Sequence, residues 1–130
     1  MKRKLSIAIC IAASLLFVSS PISAHHGTSG YDMEKVITVS GTITSFNWSN
    51  PHCLVHIDVK DSKGDVKDWI IELAAPTLMS RNGWTKDSLR PGDEVIAETH
   101  PAKNGATTAL SGASTAVLKF VVNGHALPSH

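Results

Sequence analysis

From residue 36 onward, apolar and polar side chains alternate with a period of two, in short runs separated by glycine, proline and polar turns. The first run, Val36 to Trp48, puts Ile37, Val39, Gly41 and Ile43 on one face. Its phase then breaks, because Phe46 and Trp48 fall on the opposite parity, which predicts a bulge near Thr44-Ser45. Gly41 in mid-strand suits a sharply coiled strand, where a missing side chain lets the backbone bend. Asn50-Pro51 marks a reversal, since proline fixes its own φ and biases the preceding residue toward turn geometry. The second strand is predicted over His52 to Lys60, with Cys53, Val55, Ile57 and Val59 facing the core and His52, Leu54, His56 and Asp58 facing away.

The polar turn Asp61 to Asp65 returns the chain through a third strand, Val66 to Leu73, making a hairpin. Ala75-Pro76 opens a short helix that Gly83 closes, with Leu78 and Met79 as its apolar contacts and Trp84 packing on the sheet behind it. A turn at Arg90 to Asp93 leads into a fourth strand, Glu94 to His100, which Pro101 ends. Lys103-Asn104-Gly105 reverses the chain, and a fifth strand is predicted over Ser114 to Val122, with Leu118, Phe120 and Val122 on one face. Asn123-Gly124 suits a tight primed turn that folds His125-Ala126-Leu127 back. Three strands, a short helix and two strands make an all-β fold: a small five-stranded OB-like barrel with one short helix between strands 3 and 4.

Composition changes the picture at the amino end. Lys2, Arg3 and Lys4 precede an apolar run from Leu5 to Val18, and Ala24 supplies a small residue for cleavage, the layout of a secretory signal peptide. The run is shorter than the roughly 20 residues that span a bilayer, so no permanent membrane anchor is expected. Cys10 lies inside the run behind Ile9, the wrong setting for a lipoprotein cysteine. The expected organisation is a signal peptide over 1–24, a flexible mature N-terminus over 25–35 and the barrel over 36–130, in a periplasmic protein cleaved after Ala24. Losing three basic residues leaves nine against 11 acidic ones, so the formal +1 of the whole chain becomes −2. Such a balance gives no electrostatic reason to bind nucleic acid. Cys53 alone survives cleavage, so the mature domain has no internal disulfide and relies on burial.

Several short motifs occur together: Ala24-His25-His26, Gly41 ahead of Trp48-x-Asn50-Pro51-His52, Trp69-x-x-Glu72, Arg81-x-Gly83-Trp84 and Pro91-Gly92-Asp93. In this combination the chain resembles a family of short exported bacterial proteins known only as a domain of unknown function. The resemblance implies periplasmic residence and a compact β-domain, and it implies no activity.

The most chemically suggestive residues are histidines. Cleavage after Ala24 gives His25 a free α-amine, with a pKa near about 8, beside its own imidazole, so one residue offers two nitrogen donors. Cleavage one residue earlier makes His26 third in the chain, where backbone amides can join in square-planar copper or nickel binding. Such donors suit Cu(II), Ni(II) or Zn(II), with copper the strongest binder. His52, at the mouth of its strand, can join them if the N-terminal segment folds over the barrel end. The competing reading gives His25 and His26 to a polar tail and makes His52 a turn residue bonded to a backbone carbonyl. His56 cannot share an ion with His52, because four strand residues separate them by about 13 Å; it is expected to be merely solvated.

Cys53, Trp69, Trp84 and Phe120 are expected in the core. Trp48 is poised to cover either the barrel end or a ligand. Asp68 and Glu72 lie too far apart on one strand to act jointly on a bond. The sequence contains no phosphate loop, nucleophile elbow or cysteine pair motif, and the chain is expected not to be an enzyme. The leading expectation is an exported periplasmic binding module that takes copper or another divalent metal through His25, His26 and His52. The alternative is a structural or protein-interaction module of the cell envelope that carries no metal.

Overall fold

The computed structural model describes residues 27–112 and 117–129. Its strands are β1 (Ile37–Asn47), β2 (Leu54–Lys60), β3 (Val66–Glu72), β4 (Glu94–Pro101), β5 (Thr108–Leu110), β6 (Phe120–Val122) and β7 (His125–Ala126), with helix α1 (Pro76–Arg81) between β3 and β4. β1 pairs antiparallel with both β2 and β4, β2 with β3, and β4 with β5, while β3 and β5 run parallel. Those pairings return to their starting strand, so the sheet closes into a five-stranded OB-like barrel.

The inward parity of each strand fills that barrel. Val39 and Ile43 of β1, Val55 and Ile57 of β2, Ile71 of β3, and Val95 and Ala97 of β4 are all buried. Met79 and Trp84 from the α1 region close one end, with the Trp84 ring edge-on to Phe120 at 5.4 Å. Thr44 is the bulge residue of β1, since pairing with β2 shifts between Ile43 and Ser45. Gly41 permits the close crossing of β1 and β2, because a Cβ there would collide with the Asp58 carbonyl oxygen.

Two expectations about the elements need correction. The last barrel strand is not one run from Ser114 to Val122: β5 pairs with His100 and Pro101 of β4, and β6 with Val95 to Ala97 farther along the same strand. The fifth strand therefore starts earlier, at Thr108, and is broken around Gly112, which holds φ +87°. Residues 113–116 lie outside the described ones. Phe120 and Val122 do face the core, and Asn123 and Gly124, at φ 48° and 82°, make the expected tight turn into β7.

The second correction concerns the described part, from Gly27 on, of the segment expected to be flexible over 25–35; residues 25 and 26 lie outside the described ones. Thr28–Gly30 form a turn of 3₁₀ helix, Tyr31 bridges to Ala102, and backbone bonds of 2.9 Å join Asp32 to Pro101 and Lys103 to Gly30. Satisfied backbone groups, not periodicity, tie residues 28–32 to the end of β4. Among the described residues no helix is long and apolar enough to cross a membrane.

Candidate functional site

The β2–β3 hairpin sets the site through its register. Leu54 opposes Glu72, and Cys53 and Leu73 continue the ladder through Cys53 N–H to Ala74 C=O and Leu73 N–H to Cys53 C=O. His52 thus arrives diagonally beside Glu72 on the outer face, following the cis Asn50–Pro51 peptide of the turn. Its Nδ1 lies 2.5 Å from Glu72 Oε1, a close charge-assisted contact in which the ring N–H donates to the carboxylate. The other carboxylate oxygen, Oε2, accepts the Tyr31 hydroxyl at 2.8 Å.

Tyr31 comes from the N-terminal segment, Glu72 from β3 and His52 from the turn before β2, so three separate stretches meet on one carboxylate. Burial, the hydrogen bond to Glu72 and that carboxylate's charge push the Tyr31 phenol up to about 12. Gly27, Thr28 and Tyr31 line a small concavity together with His52, Glu72, Leu73 and Leu110. A second hollow beside it is bounded by Gly27, Pro51, His52 and Glu72.

Nδ1 is committed to Glu72, which leaves Nε2 as the ring nitrogen that no described group bonds and that carries the lone pair when the ring is neutral. That arrangement, a carboxylate orienting an imidazole by its other nitrogen, is the one found around metal-ligating histidines. It also corrects the expected partner of His52, which is a side-chain carboxylate and not a backbone carbonyl. His25 and His26 lie outside the described residues, but Gly27, the next residue in the chain, lines both hollows against His52. Among the described residues no group of three or more histidine, cysteine, aspartate or glutamate side chains converges on one ion position.

The remaining candidates sit elsewhere. His56 is not merely solvated: its Nδ1 lies 3.2 Å from Asp68 Oδ2 farther along the same hairpin face. Asp68 and Glu72 therefore act apart, each with its own histidine. Cys53 is wholly buried, and burial pushes its thiol up against the smaller opposing effect of the Ser49 backbone. Trp48 packs edge-on against Phe46 at 5.7 Å and joins the rim of the core; Trp69 is likewise half-buried, not central. His100 bonds the Lys35 carbonyl at 2.8 Å and helps hold the N-terminal segment.

Glu72 and Tyr31 were not among the expected site residues. Glu72 was within reach of register counting: with Lys60 opposite Val66, six steps back along β2 and six forward along β3 set Leu54 against Glu72. Tyr31 carried no such signal, since it stands in an aperiodic polar stretch.

A family described as "Family of unknown function (DUF6152)" matches residues 12–112. No curated protein matches the chain. Among solved structures, the mitochondrial single-stranded DNA binding protein Rim1 of S. cerevisiae is similar with a TM-score of 0.48 at 13% identity, covering 68% of this chain and 92% of that one.

Proposed function

The chain belongs to that family of unknown function, and on this premise we propose that it is an exported periplasmic binding module that holds copper or another divalent transition metal at its barrel rim, without catalysis. The ligands in this reading are the imidazoles of His52, His25 and His26, with the α-amine of His25 when cleavage follows Ala24. One observation carries it: Gly27, the residue after His26, shares the pocket of His52. Two residues of chain span at most about 7 Å, a length that supports the reading by leaving the pocket within reach of both histidines. His52 is already fixed in orientation by Glu72, which lowers the ordering cost of ligation.

The test starts with protein recovered from the periplasm. Intact mass fixes the cleavage point, and Cu(II) titration then compares the processed protein with variants carrying His25→Ala and His26→Ala together, and His52→Ala alone. The reading predicts that affinity falls in both. Cu(II) affinity unchanged after both N-terminal histidines are removed rejects it. A protein that binds no Cu(II), and whose His52→Ala form loses only stability, is the envelope scaffold of the alternative.

A further inference from the structure

β1 changes partner along its length. Its first half, from Ile37 to Thr42, pairs with β4, and its second half, from Thr42 to Asn47, pairs with β2. Asn123 N–H bonds the Glu94 carbonyl and Glu98 N–H bonds that of Lys119, so the even residues of β4 turn toward β6 and the odd ones toward β1. Ile37, Val39 and Gly41, opposite Thr99, Ala97 and Val95, therefore take the ladder bonds, and the N–H and C=O groups of Thr38 and Ser40 point the other way. No described strand lies on that side. β2 leaves β1 after Asp58, and its last residues, Val59 and Lys60, pair with β3 alone. Because Cys53 bonds across to β3, the odd residues of β2 face β3, and Lys60 turns its backbone groups into the same gap.

A strand edge without a partner is a template for another chain. This one opens into a groove between Ser40, Thr42 and Glu94 on one side and Asp58, Lys60 and Val66 of the hairpin on the other. Among the described residues four large apolar side chains stand exposed, and three flank this edge: Val36 at its head, Ile96 opposite Ser40, and Val66 in the groove. The charges select the occupant. Asp58 stands directly opposite Asp68, a like-charge pair that weakens the hairpin, and no described group forms an ion pair with Asp58. Two carboxylates in the groove against one lysine favour a basic segment over a nucleic acid strand.

We propose that this groove is a strand-addition site for an extended segment of another protein that carries lysine or arginine among apolar residues. The segment pairs its backbone with Thr38 and Ser40, lays alternate apolar side chains against Ile96 and Val66, and sets its cation beside Asp58. Occupancy of the groove requires none of His25, His26 and His52, so it is independent of the metal reading.

The probe is the synthetic hexapeptide acetyl-Thr-Val-Lys-Val-Thr-Val-amide, titrated into the isotopically labelled exported protein and followed by amide shifts and hydrogen exchange. Saturable shifts are expected at Thr38, Ser40 and Lys60, whose amides exchange fast in the free protein and slow down on binding. A peptide with glutamate in place of lysine should bind about fivefold weaker, and Asp58→Asn should erase most of that preference. Ser40→Pro removes an N–H that no ladder bond uses, a change that an edge strand tolerates, and it should weaken binding about tenfold. Thermal melts establish that each variant is folded; should Ser40→Pro not fold, Asp58→Asn and the exchange rates still decide. Slow exchange at Thr38 and Ser40 in the free protein overturns the proposal. So does equal affinity for the two peptides, or full binding by folded Ser40→Pro. A dimer of the protein alone that Ser40→Pro dissolves also overturns it, because the occupant is then a second copy of this chain.

Discussion

Tyr31 is the single tyrosine of the chain, so its ionisation can be followed by absorbance without assignment. Its folded pKa, near 12, lies above the ordinary value of 10.0. The stability linked to the neutral phenol is therefore fully present below the unfolded value and is lost as pH rises through about 12. Phenolate absorbance should show a midpoint near 12, and Glu72→Gln should lower it only part of the way, because burial is the larger cause. A midpoint at the ordinary value would remove Tyr31 from the Glu72 contact. Gly41→Ala is a second prediction at this scale: overlap with the Asp58 carbonyl should cost about 3 kcal/mol, the upper end for overpacking, measured by denaturant unfolding. Gly41 was legible as a bend from its place in an alternating run. The glutamate it was not, because alternation gives only the face on which Glu72 lies, whereas its partners depend on register and on a segment with no period.

Among the elements, the hairpin and α1 follow directly from local chemistry: alternation, a polar five-residue turn, and a proline at the first helical position. The broken fifth strand does not, because Thr108 to Leu110 is too short to show a period and its ladder comes from β3 and β4. Short length does not make β6 peripheral, however. Phe120 is buried against Trp84, so Phe120→Ala should cost about 3–5 kcal/mol in chemical denaturation despite lying in a three-residue strand. A loss below about 1 kcal/mol would mean that this end of the barrel is loosely packed. Trp84 also donates its indole N–H to the Pro128 carbonyl at 2.8 Å, which ties the tail after β7 to the helical end.

Across the whole molecule, the barrel brings the N-terminal segment, the Pro51 turn and the end of β3 to one rim, and the Tyr31–Glu72–His52 contacts join them. The order of strands in the sequence was enough to read the closed barrel. It was not enough to read the rim, which is built from turn geometry and backbone bonds to β4. A metal that binds only the folded rim must raise the melting temperature, by an amount equivalent to about 2.7 kcal/mol at an ion concentration 100 times Kd. That stabilisation should vanish in the protein lacking His25 and His26. The most direct test of the central claim is pulsed EPR of Cu(II) bound to the processed protein, read for coordinated imidazole nitrogen. The account predicts that the imidazole signal includes His52 and diminishes in His52→Ala; identical spectra from the two proteins would contradict it.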